Sequence, residues 1–131
     1  MADTTYDPEQ RAFQTTLIDA TTFNATTATE TSDAVFMQDY GHFTLYTSID
    51  STLTPTDIVI QVQFSDDGVT FYNYTRGPFG DLRWEDGGTA TALNESIDGE
   101  VAGRYMRVIV TCTGTDATKK FLVTVKVSAY N

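Results

Sequence analysis

From His42 onward, apolar and polar positions alternate along the chain with a period of two. In His42 to Ile49, Phe43 and Leu45 alternate with Thr44 and Tyr46; in Ile58 to Ser65, Ile60, Val62 and Phe64 share one face while Gln61 and Gln63 share the other. Successive side chains of a strand point to opposite faces, so these runs predict antiparallel strands with one face on a core and one in water. Asp66, Asp67 and Gly68 supply a turn, with Gly68 able to take φ > 0, and Val69 to Thr75 is predicted to return as the partner strand. Arg76 to Gly88 holds five glycines and prolines in thirteen residues, which predicts a long loop with a short edge strand around Leu82 to Trp84. A strand from Thr89 to Ile97 follows, then a turn containing Asp98, Gly99 and Gly103. Arg104 to Thr113 sets Met106, Val108, Val110 and Cys112 against Tyr105, Arg107, Ile109 and Thr111, and the last strand turns Phe121, Val123, Val125 and Val127 inward. Seven or eight strands separated by turns predict an all-β fold, an antiparallel two-sheet sandwich of the jelly-roll kind.

The first 40 residues are patterned differently. A polar tract from Ala20 to Asp33 is flanked by two short apolar groups, Phe13 to Ile18 and Val35 to Met37, each able to form a strand. About two dozen threonines run through the chain, and β-branched side chains fit a pleated surface better than a helix. Two readings stand for this region: an acidic, Thr-rich arm with at most one paired strand, or an N-terminal strand integrated into the sandwich. The division taken is an arm over residues 1–40 and a sandwich domain over 41–131. Tyr6, Phe13, Leu17, Ile18 and Phe23 are the apolar side chains with which such an arm would anchor a partner.

Charge narrows the partners. The 131 residues carry a net charge of -10. Residues 1–75 hold 11 acids against the single base Arg11, whereas residues 76–131 hold seven acids and seven bases. A protein that tracks phosphates needs a basic face, and docking on an anionic membrane surface needs clustered Lys and Arg, so neither nucleic acid nor a membrane is expected as partner. Cys112 is the only cysteine, which excludes a disulfide within the chain. No apolar run approaches the roughly 18 residues of a membrane span, and the first residues do not read as a signal peptide; synthesis in a reducing cytosol is expected.

The usual catalytic constellations find little material. His42, the only histidine, opens a strand beside Gly41 and reads as a surface or turn residue in place of a catalytic base, and Cys112 falls in phase with core residues; one His and one Cys cannot furnish a zinc site of the usual ligands. Carboxylates such as Asp66, Asp67, Asp81, Glu85, Asp86 and Asp98 sit in turn-like stretches, where they read as turn formers and solvating charge. Asp81, Glu85 and Asp86 share one loop, the arrangement a structural calcium would need, without the spacing of a known calcium loop. Three Asn-x-Ser/Thr matches, at Asn24, Asn73 and Asn94, are what chance supplies in a Thr-rich chain. The expectation is a chain without enzymatic activity, cofactor or metal. Tyr72, Tyr74, Arg76, Phe79, Arg83 and Trp84, the only tryptophan, crowd into thirteen residues, and these are the residue types that carry binding energy at interfaces. Either they form a contact surface for a protein or a glycan, or Phe79 and Trp84 fold back to plug the open end of the sandwich.

Two segments carry a family resemblance: Ile60 to Tyr72, a strand, an Asp-Gly turn and an aromatic return, and Gly103 to Val110, with its Arg-Tyr-x-Arg-Val run. They resemble discoidin-like and related jelly-roll modules, in which loops at one end of the sandwich hold glycan or lipid; the Trp-containing strand and the cysteine pair typical of discoidin domains are missing here. The same segments, with the acidic front segment, also resemble the capsid decoration proteins of tailed bacteriophages. That resemblance implies a virion protein on the capsid exterior, made in the bacterial host cytoplasm, homotrimeric, and partnered by the major capsid protein. The alternatives are a carbohydrate-binding module that holds a surface glycan through the aromatic loop, and a tail or fibre component.

Overall fold

The structure, a computed structural model, describes residues 12–24, 28–52, 57–85 and 92–131. Among these run ten strands: β1 (Ala12–Phe23), β2 (Thr29–Thr31), β3 (Val35–Phe36), β4 (His42–Thr52), β5 (Asp57–Ser65), β6 (Tyr72–Asn73), β7 (Leu82–Glu85), β8 (Ala92–Glu100), β9 (Tyr105–Thr113) and β10 (Lys120–Tyr130). A 3-10 turn at Gly77–Gly80 separates β6 from β7. No helix among the described residues is long and apolar enough to cross a membrane.

Every pairing is antiparallel. The first sheet has the order β1-β10-β4-β8. In the second, β9 and β5 form the centre, with β2 and β3 end to end along β9 and β6 and β7 end to end along β5. Each sheet therefore has four strand positions. The chain passes from one sheet to the other after β1, β3, β4, β7, β8 and β9. This repeated crossing is the wrapping of a jelly roll, and it leaves each sheet an inner face to bury.

The inner faces follow the period-two pattern. Burial alternates along β5, β9 and β10, placing Ile58, Ile60, Val62 and Phe64 opposite the inward residues of β10, with Met106, Val108, Val110 and Cys112 beside them. Phe43, Leu45 and Ile49 of β4 complete the centre.

Three expectations need correction. First, the boundary at residue 40 does not divide the described chain: β1 pairs with β10 from Ala12↔Tyr130 to Phe23↔Phe121, and Ile18, Phe23 and Met37 belong to the core. Of the two readings for the N-terminal region, residues 12–23 take the integrated strand, because their apolar side chains are needed to cover that side of the core. Second, the return strand from Val69 to Thr75 shrinks to Tyr72–Asn73. The Asp67 carboxylate accepts the N–H groups of Val69 at 2.8 Å and Thr70 at 2.9 Å, so these donors close a wide turn instead of joining the ladder. Third, Asp98 and Gly99 lie within β8, opposite Thr44 and Phe43. Gly99 serves close packing, since a Cβ there would stand 2.6 Å from Phe43 Cζ and 2.8 Å from Phe79 Cε2. Residues 89–91, expected to open this strand, lie outside the described residues.

Candidate functional site

The aromatic residues singled out from the sequence separate into two groups. Tyr74 and Phe79 turn inward at one end of the sandwich and pack with Phe43 and Phe64, with ring centroids 5.1 Å to 5.9 Å apart. The 3-10 turn, opened by Pro78, delivers Phe79 into this cluster as its single buried residue. The Tyr74 hydroxyl accepts the N–H of Glu100 at 3.2 Å, and burial pushes its pKa above the ordinary value, with Arg76 opposing the shift. Of the two residues expected to plug this end, Phe79 does so, joined by Tyr74, and neither of these buried rings is available to stack on a ligand, while Trp84 is partly buried against the core. Arg76 pairs with Glu100 across the same end.

Tyr72 stands out in solvent, 70% exposed, beside the wide turn that carries Val69, 82% exposed. The turn is stiffened by the Asp67 carboxylate, which also accepts the Ser65 hydroxyl at 3.0 Å. Its backbone donors from Thr70 and Val69 hold the carboxyl below its ordinary pKa. Trp84 does something different again. It opposes inward-facing Ile58 on the edge strand β7, and its Nε1–H donates to Glu95 Oε1 at 2.6 Å. Since β7 is an edge of one sheet and β8 an edge of the other, this bond ties the sheets together along one open side. Arg83 lies 3.6 Å from Asp57 and 3.7 Å from Asp81.

The residues expected to anchor a partner are likewise divided. Ile18 and Phe23 are buried, 3% and 0% exposed, and cannot anchor anything outside the molecule. Phe13 and Leu17 are only partly covered, and Phe13 packs on Tyr40 at 5.0 Å. Tyr6 lies outside the described residues. Phe13 and Tyr40, with Val35 and Phe36, line a groove of about 480 Å³ where the β1 and β3 edges face each other. Phe36, 49% exposed, meets Tyr105 edge to face at 5.4 Å.

The groups considered for catalysis are occupied elsewhere. His42 stacks on Tyr130 at 5.7 Å on the outer face of the first sheet. Cys112 is buried in the core, and its thiol pKa is pushed up to about 12 by burial and the nearby Asp57 carboxylate, so it is not a nucleophile at neutral pH. Among the described residues no three His, Cys, Asp or Glu side chains gather as a metal site would require. Asp86, one of the acids considered for calcium, lies outside the described residues.

One surface has no counterpart in the sequence reading. On the outer face of the first sheet a shallow groove of about 670 Å³ is lined by Gln14, Tyr46, Asn94, Ser96, Thr124 and Lys126, with Thr47, Ser48 and Glu95. Strand pairing assembles it: Lys126 lies beside Tyr46, which lies beside Ser96, and Thr124 lies beside Ser48, which lies beside Asn94. These residues come from four strands dispersed through the chain, so no local motif announces them.

Compared with solved structures, the chain is similar to one in infectious bursal disease virus Gt strain, with a TM-score of 0.58 at 7% identity, over 94% of this chain and 32% of that one. A chain of the infectious bursal disease virus VP2 subviral particle gives 0.52 at 8% identity, over 93% and 32%. A family 16 carbohydrate-binding module-2 gives 0.42 at 12% identity, over 86% and 71%, too distant a backbone match to support an argument. No protein-family model matches the chain, and no curated protein matches it. At such identities the likeness is one of fold: a two-sheet sandwich of the kind found in these viral particles. This chain spans about a third of the length of those viral chains, 32% in each case.

Proposed function

We propose that this chain is a non-enzymatic structural protein of a virion, a decoration or cement protein that docks on the assembled shell of a tailed phage and binds its major capsid protein. The observation that carries the reading is the fold match over 93% of the chain to a protein that builds a viral particle. The contact surface is one end of the sandwich. Register places Phe36 beside Tyr105, Tyr105 beside Ser65, and Tyr72 beside Phe64, so the exposed aromatics Phe36 and Tyr72 stand at the same end of the sandwich, the end where β1 begins, on opposite faces of the second sheet. Each subunit would bridge neighbouring capsid subunits and add buried area across their junction. A closed trimer would present several copies of a weak contact at once, which raises avidity without enlarging any one footprint.

The acidity concentrated in residues 1–75 fits a basic acceptor surface, and exposed charges are screened over about 8 Å at physiological salt. Docking should therefore weaken as ionic strength rises. Co-sedimentation with decoration-free capsids tests the proposal. Binding should be reduced by Phe36→Asp, by Tyr72→Ala and by removal of residues 1–11, with each variant still folded. Failure to co-sediment, or binding indifferent to all three changes, would reject shell docking.

A further inference from the structure

We propose that the groove on the outer face of the first sheet binds a neutral oligosaccharide. Four strands spaced about 4.8 Å apart give a face roughly 14 Å across, comparable with a short sugar chain. The groove is shallow and open along its length, about 670 Å³, so a ligand would lie along the sheet instead of being enclosed. Tyr46, 40% exposed at the centre of the sheet, offers an aromatic surface for a sugar ring. Around it stand donors and acceptors of the kind that pair with hydroxyls: the amides of Gln14 and Asn94, the hydroxyl of Ser96 and the ammonium of Lys126. None of these four side chains, nor the Tyr46 hydroxyl, has a hydrogen-bond or ion-pair partner among the described residues. The nearby polar groups that do have partners leave the groove free: Thr124 accepts the Ala20 N–H, Glu95 accepts from Trp84, and Asp98 accepts from Thr44.

Charge selects the ligand class. Asp98, next to the groove on β8 and on the same face as Ser96, disfavours an acidic glycan in a chain of net charge -10. Lys126 at the centre disfavours a basic peptide. A neutral ligand rich in hydroxyls meets neither penalty and satisfies the free donors and acceptors. This site is distinct from the aromatic loop, whose Tyr74 and Phe79 are buried, and it does not depend on the virion reading, since capsid docking and sugar binding are separate measurements.

The test uses the full chain with cellohexaose, xylohexaose, maltohexaose and mannohexaose as neutral probes and hexagalacturonate as the acidic one, followed by calorimetry. Expected is binding of at least one neutral hexasaccharide with a Kd of about 1 mM or tighter. Tyr46→Ala should weaken it about tenfold, the scale of one lost ring contact, while Tyr72→Ala leaves it unchanged. Ser96→Arg, which fills the groove from the neighbouring strand, gives a second readout should Tyr46→Ala fail to fold. The proposal is overturned if no neutral probe binds, if only hexagalacturonate binds, or if binding survives Tyr46→Ala and Ser96→Arg in folded protein.

Discussion

Gly99→Ala is the substitution on which the packing of the aromatic end depends most directly. A Cβ at this position would stand 2.6 Å and 2.8 Å from two atoms of the Phe43 ring and 2.8 Å from the Phe79 ring. Neither ring has room to retreat, because Phe43 is 0% exposed, Phe79 is 2% exposed, and both are wedged against Tyr74. Forcing an extra methyl into such a site costs about 1–3 kcal/mol, and the lower chain entropy of alanine in the unfolded state returns roughly 0.4–1 kcal/mol. A net loss of about 1.3 kcal/mol is expected. In urea the midpoint should fall by about 0.7 M with the slope unchanged, read by tryptophan fluorescence and far-UV circular dichroism together. Gly41→Ala is the control, since the nearest atom to its added Cβ is Asn131 Oδ1 at 4.0 Å, and it should shift stability by less than about 0.5 kcal/mol. In a Phe43→Leu background the cost of Gly99→Ala should shrink by about 1 kcal/mol, because two of the three close contacts are gone. Full stability in Gly99→Ala, or an unchanged cost in the Phe43→Leu background, would show that the loop carrying Phe79 does not plug this end.

Other outcomes follow from the same structure. Phe23→Ala should cost about 3–5 kcal/mol, as expected of a fully buried ring in an integral strand; a loss below about 1 kcal/mol would return residues 12–23 to the status of an arm. The raised thiol pKa of Cys112 means that the native state keeps a proton the unfolded chain releases near pH 9. This contribution to stability is present below that pH and is lost as pH rises toward about 12, so Cys112→Ala should flatten the alkaline limb of a stability-pH profile, and an unaltered limb would count against it. Glu95→Ala should red-shift the emission of Trp84 by freeing its indole N–H to water, with a stability loss of about 1–2 kcal/mol; an unmoved spectrum would mean that the bond does not close that side.

How far the sequence can be read depends on whether a residue's neighbours are set by local periodicity or by distant pairing. The inward sets of β5, β9 and β10 were legible because an uninterrupted strand keeps its phase, and the burial of Cys112 followed from that phase. β1 was not legible as an integral strand. Its register with β10 slips between Thr16 and Ile18 and again between Ile18 and Thr21, with Ala20 in the left-handed region at φ 44, so its buried residues fall out of period two. Asp98 and Gly99 looked like turn residues for a related reason: turns use glycine for its φ freedom, but here the ring of Phe43 requires a residue without a Cβ.

The candidate surfaces show the same division. The sequence alone determined that the chain builds an all-β sandwich, that acidity is concentrated toward its front, and that the residues from Tyr72 to Trp84 are unusually aromatic. Only the tertiary structure decided that Phe79 and Tyr74 are core while Tyr72 faces water, because a 3-10 turn aims Phe79 inward, the Tyr74 N–H donates to Val62 of β5, and an aspartate-closed turn precedes the exposed Tyr72. Only strand pairing brought Gln14, Tyr46, Asn94 and Lys126 onto one face. Alternation along a strand tells which side a residue takes, whereas the wrapping of the jelly roll decides which strands lie next to it.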